Sequence, residues 1–152
     1  MPARFDTDNS RWPLVVVTIP DQDVTDDEVK RFIEGQRAQL ARREKHVVLT
    51  DARRAKVLSP LQRQLFGAWL KEAEIGTKRY TVALAIVIDN ALVRGALTAV
   101  LWVVEPACPT KMVGTLAEGA QWLLEQGNRA GLGGLEGLRA YLGQQQPMSA
   151  SR

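Results

Sequence analysis

The chain is poor in the residues that build metal sites and covalent staples. Of its 152 residues, one is a cysteine, Cys108, and one is a histidine, His46. Neither a disulfide framework nor a Cys/His metal cluster can therefore form within it. Aromatic residues make up only 6%. The run from Val82 to Val104 is almost continuously apolar, but Asp89, Asn90, Arg94 and Gly95 interrupt it. It falls short of the ~20 apolar residues of a membrane span. The opening MPARFDTDNS has no apolar core of a secretory signal. Neither a GxxxxGK[ST] phosphate loop nor a GxSxG nucleophile turn occurs. No internal repeat is visible. These absences lead us to expect a cytoplasmic protein with no transmembrane segment, no metal and no cofactor.

What is present fits one α/β domain. The chain is 45% hydrophobic and 24% charged, an ordinary globular composition of single-domain length. The net charge of +3 is unevenly spread. Residues 1–28 hold seven acids against two bases, residues 29–80 thirteen bases against five acids, and residues 81–152 five of each. A basic middle suits an acidic partner. Arg37, Arg42, Arg43 and Lys45 equally suit the wet face and C-terminal end of a helix. No aromatic-interleaved groove accompanies them, so no nucleic-acid binding is expected.

Ala3–Asp6 reads as a short strand and Asn9-Ser10 as a turn, with Leu14–Ile19 completing a hairpin. Thr25-x-x-Glu28 opens a helix that runs to about Arg43, with Val29, Phe32, Ile33 and Leu40 on one face. His46–Thr50 is the next strand, ending at Asp51. Ser59 and Pro60 start a second helix as N-cap and first helical residue, with Leu61, Leu65, Ala68 and Trp69 on its face and Gly76 as its stop. Thr81–Ile88 is a buried strand. Asp89 is placed to cap a short helix over 90–98, and Val100–Val104 returns to strand. Thr115-x-x-Glu118 opens a last core helix that ends at Gly127-Asn128. The expected domain covers residues 3–128. Residues 129–152 read as a Gly-rich joint, a short helix carrying Leu135, Leu138 and Leu142, and a disordered tail from Gln144. The alternating order implies a mostly parallel sheet with crossover helices and an antiparallel N-terminal edge.

This order, with the stretches Pro13–Ile19, His46–Asp51, Tyr80–Ile88 and Leu116–Leu123, resembles the STAS fold of bacterial anti-sigma-factor antagonists. It is closest to the SpoIIAA-like branch, which is sometimes grouped with Sec14-type domains. In signalling members of that fold, a Ser at the start of the helix after the second parallel-type strand takes a phosphate from a partner kinase. The resemblance puts Ser59 at that place. Leu58-Ser59-Pro60-Leu61 stands where the family has an Asp-Ser-Ser/Thr-Gly run. The plain alternative is that Ser59 is an N-cap only.

The resemblance implies a non-enzymatic regulatory or scaffold domain that binds a protein partner. Arg53, Arg54, Lys56, Ser59, Gln62 and Arg63 are the candidate partner-binding or phosphorylation residues. The Sec14-type grouping and the apolar segment 82–104 suggest an alternative, a domain that binds a lipid or hydrophobic small ligand. Asp51 and Asp89 each end a predicted strand. They are candidates for the ligand-binding edge of the sheet, or for a turn and a helix cap. An enzyme built on that pair ranks last. A homodimer is compatible with all of these readings. The tryptophans Trp12, Trp69, Trp102 and Trp122 are read as core residues first and as interface anchors second.

Overall fold

The computed structural model describes residues 5–20, 23–56, 58–103 and 105–145, with the backbone alone for 100–103. Ala3 and Arg4 of the expected first strand and residues 146–152 of the expected tail lie outside the described residues.

Strands β1 (Asp6–Arg11) and β2 (Leu14–Thr18) pair antiparallel. Their turn falls at Trp12-Pro13, not at Asn9-Ser10. Asn9 and Ser10 lie instead within an irregularity between Asp8 and Arg11. There the Ser10 N–H donates to the Asp8 carboxylate at 2.8 Å and the Trp12 N–H to the Asn9 carbonyl at 3.1 Å. Helix α1 (Asp26–Ala41) begins where expected, with Thr25 Oγ1 accepting from the Glu28 N–H. Strand β3 (His46–Asp51) is followed by helices α2 (Pro60–Glu72) and α3 (Glu74–Tyr80). Gly76 does not stop the helical run. The break comes at Ala73, and Gly76 packs within α3 at a distance where a Cβ would sit 3.4 Å from Leu40.

Strand β4 (Thr81–Val87) leads to helix α4 (Ala91–Val103). The cap of α4 is Asn90 and not Asp89: its Oδ1 accepts from the Leu92 N–H at 2.8 Å and the Val93 N–H at 3.3 Å. The expected strand at Val100–Val104 is helix as far as Val103. A loop then leads from the end of α4 to the edge strand. The last strand is β5 (Thr110–Val113), beyond Pro109. Helices α5 (Leu116–Arg129) and α6 (Glu136–Gln145) complete the six helices found among the described residues.

The sheet is five-stranded in the order β1-β2-β3-β4-β5, antiparallel at its first pair and parallel elsewhere. Since each parallel strand lies directly beside the one before it, right-handed crossovers place α1, α2 and α4 on one face. After β5 the chain folds back, and α5 and α6 cover the other face. There Leu14, Val47, Leu49, Ala83, Ala85 and Val87 meet Ala120, Leu123, Leu135 and Leu138 in one core.

The C-terminal segment is therefore part of that core, and the boundary expected at residue 128 does not separate it. Leu138 is fully buried, and Tyr141 and Leu142 are buried beside it. The Gly-rich joint is an ordered cap. Gly131 at φ +71° gives the left-handed residue after Ala130, with the Gly131 N–H bonded to Asn128 O and the Leu132 N–H to Gly127 O.

Candidate functional site

A cavity of about 490 Å³ opens on the face that carries α1, α2 and α4. Thr50, Ala52, Ile86 and Ile88 form its floor and α4 covers it with Val93, Ala96 and Leu97. These floor residues stand at the carboxyl ends of β3 and β4, the edge where parallel sheets commonly receive ligands. A second small cluster of buried residues, Ala52, Ile86 and Ile88, belongs to this floor. The end wall is aromatic, built from Phe5 and Phe66 with Phe32 packed behind them. Phe5 stacks on Phe32 at 4.5 Å between ring centres, and Phe66 closes on Phe5 edge-on at 6.3 Å. Of these, Phe5 and Phe66 line the cavity.

The start of α2 forms one side. Ser59 Oγ accepts from the Gln62 N–H at 3.1 Å, and Gln62 Oε1 accepts from the Ser59 N–H at 3.3 Å. This reciprocal pair satisfies two otherwise free donors at the helix start. The Gln62 amide nitrogen donates to the Val24 carbonyl at 2.7 Å and to Asp26 Oδ1 at 3.2 Å. It thus ties the start of α2 to the start of α1. Gln62 is buried, so it is not a surface residue able to touch a docking protein. Its burial also turns the helix: Leu61 is half exposed at 50%, and Phe66 faces inward.

Four of the eight site residues expected from the sequence line this cavity: Lys56, Ser59, Gln62 and Arg63. Arg63 donates from Nη1 to the Leu58 carbonyl at 2.8 Å. The other four do not. Asp51 is held by Arg53 through two hydrogen bonds of 2.9 Å. Burial raises the Asp51 carboxyl, but the Arg53 hydrogen bonds outweigh it and hold it below the usual range. Strand alternation points Asp51 to the α5–α6 face, where burial, and after it the Asp51 charge, raises the Tyr141 hydroxyl. Asp89 is exposed at the end of β4, and Arg54 is exposed on the loop. Asp51 and Asp89 thus do not form a free carboxylate pair, and no group of three ligating side chains occurs among the described residues.

The remaining singled-out residues have structural surroundings. His46 is buried, donating from Nδ1 to the Glu44 carbonyl at 3.0 Å, which leaves Nε2 facing the Thr81 hydroxyl at 3.4 Å. Burial lowers its pKa. Burial likewise raises the Cys108 thiol, away from a reactive thiolate. Trp12 lies between His46 and the Arg42 guanidinium, which sits 3.7 Å above its ring. Trp69 lies under Arg37, which Glu34 and Glu72 hold in place. Trp122 packs half-buried against the α5–α6 core, and the Trp102 side chain lies outside the described residues.

Sequence reading missed Phe5, Phe66 and the α4 residues as parts of one cavity, because they come from three distant segments. The available signal was α4 itself, an almost uncharged helix with only Arg94 ionisable. Among the described residues no helix is long and apolar enough to cross a membrane. Compared with known proteins, the chain matches no family model, no curated protein and no solved structure.

Proposed function

We propose that this chain is a binding domain for a lipid or hydrophobic small molecule, held between the sheet and α4. The carrying observation is the 490 Å³ cavity with an apolar floor, cover and end wall. Well-packed interiors leave few voids larger than a water molecule. Ligand pockets occupy roughly 300–1,000 Å³ and place a few polar groups around an apolar body. The Sec14-type grouping suggested by the sequence points the same way.

The test is displacement of an environment-sensitive apolar dye, compared with an Ala96→Trp variant. Ala96 is exposed on α4 yet lines the cavity, so an indole there fills the space without disturbing the sheet. Dye affinity is expected to fall by about tenfold or more, from several methylene equivalents of lost burial, with the melting temperature preserved. Equal dye binding by the filled variant sinks the reading.

Regulation through a protein partner is the second reading, carried by the STAS resemblance. It is supported by Ser59 standing exposed at the start of α2 after a basic loop. It requires phosphate on Ser59 in protein taken from the native host. Unmodified Ser59 there, and unchanged partner capture by Ser59→Asp, would remove it.

A further inference from the structure

We infer that the ligand is a single-chain amphiphile with an anionic head, of the acyl-carboxylate class, lying with its chain under α4 and its head at the rim. This rests on the reading of the cavity as a hydrophobic-ligand site. Apart from the Thr50 hydroxyl on the floor, the interior offers little to a polar group. Gln62 is the one buried polar side chain of the lining among the described residues, and its amide is already bonded to Val24, Asp26 and Ser59. A ligand's polar end must therefore stay at the mouth, since an unpaired polar group in an apolar site is costly.

The mouth is set for an acceptor. Lys56 and Arg63 both line the cavity and both are exposed at its edge, against one carboxylate, Asp23. Arg63 gives one N–H to Leu58 and carries five in all. Lys56 brings three more donors and makes no ion pair among the described residues. Neither side chain can accept. A carboxylate satisfies such donors with charge-assisted bonds, and Arg matches its planar geometry. The volume lies in the lower half of the range for small-ligand pockets, which favours one chain over a two-chain lipid.

The experiment is calorimetric titration of the whole chain with decanoate, dodecanoate, dodecanol and dodecylamine. The same titrations follow on a Lys56→Gln, Arg63→Gln double variant checked for folding by circular dichroism. Dodecanoate is expected to bind about tenfold more tightly than dodecanol and the amine most weakly. Each pair of added methylenes should raise affinity roughly tenfold or more while room remains. In the double variant the carboxylate should fall to the level of the alcohol, with the alcohol unchanged. Equal binding of carboxylate and alcohol by the unaltered chain, or tightest binding of the amine, overturns the anionic head and leaves the cavity reading standing. Failure of every chain to bind overturns both. The comparison of the three heads on the unaltered chain holds even if the double variant does not fold.

Discussion

On the α5–α6 side of the sheet, Leu14, Val47, Leu49, Ala83, Ala85 and Val87 are each fully buried beneath two helices. On the opposite side, residues of the same strands, Thr50, Ile86 and Ile88, border an open cavity. The difference lies in how the covering helices meet the strands. On the first side Ala83, Ala85 and Gly119 keep the surfaces small, so α5 approaches until a Cβ on Gly119 would sit 2.7 Å from Leu49. On the second side α4 faces the floor with Val93, Ala96 and Leu97, while Leu92 stays 73% exposed. These three side chains do not fill the space above the floor. The room is confined to the α4 end of the second face, since Val15, Val17 and Val29 on that face are also fully buried, and a locally looser element is what uneven stability across a fold allows.

The largest expected effect separates the two sides directly. Leu138→Ala removes a fully buried side chain from the closed core and is expected to cost about 2–5 kcal/mol in urea unfolding. Leu97→Ala, from a half-buried residue that already borders the cavity, should cost below about 1 kcal/mol. Equal costs would mean that α4 is packed as firmly as α6 and would erase the contrast.

Much of the fold was legible in parts but not in assembly. The caps at Thr25, Ser59 and Thr115 could be read because each is a bond within three residues. Strands β2, β3 and β4 could be read because their Val- and Ile-rich runs end at turn residues. Three things were hidden. The left-handed cap at Gly131 looks in sequence like a flexible joint, and only the Leu132-to-Gly127 bond distinguishes them. The run Val100–Val104 is apolar and β-branched, and periodicity over so few residues cannot tell a strand from the end of a helix. The cavity needed Phe5, Gln62, Phe66 and α4 together, and Gln62 disguised the inward face of α2 by being polar. Of the residues singled out in the sequence, Lys56, Ser59, Gln62 and Arg63 line the cavity because they surround the α2 cap, and Asp51 does not because alternation sends it to the opposite face.

Glycine substitutions sharpen the contrast at a smaller scale. A Cβ at Gly137 would sit 3.0 Å from Arg11 Cβ and 3.2 Å from the Arg11 carbonyl, where α6 crosses the end of β1. Backbone cannot rotate away, so Gly137→Ala is expected to destabilise by about 1–3 kcal/mol despite the better helix propensity of alanine. At Gly95 of α4 a Cβ meets nothing within 4 Å. Gly95→Ala should therefore stabilise by about 0.5–1 kcal/mol. Thermal unfolding of the two variants reads both signs in one assay. Opposite signs support the division of the sheet, and a loss at both positions breaks it.

The smallest effect tests whether the loose side is loose along its whole length. His46 begins β3 at the end away from the cavity, buried under Trp12 and bonded to Glu44 and Thr81. Burial lowers its pKa from the ordinary 6.5, and the positive charge of Arg42 acts in the same direction against the Glu44 hydrogen bond. In the unfolded chain the imidazole takes up its proton near pH 6.5, while the folded chain resists until a lower pH. Over that window the unfolded state binds more protons. Stability is therefore complete above about pH 6.5 and declines as the pH falls toward the folded value, by at most about 1.4 kcal/mol per pH unit. The chain holds no second histidine, so the slope between about pH 7 and 6 is expected from this residue, before the lowered carboxyls of Asp8, Asp51 and Glu72 add theirs at more acid pH. His46→Asn should flatten it, as measured by urea midpoints across that range. An unaltered slope in the variant would mean that water reaches His46 as freely as it reaches an exposed histidine. The open part of this face would then extend from the carboxyl ends of the strands to their amino ends, and the cavity would be one portion of a generally unsealed surface.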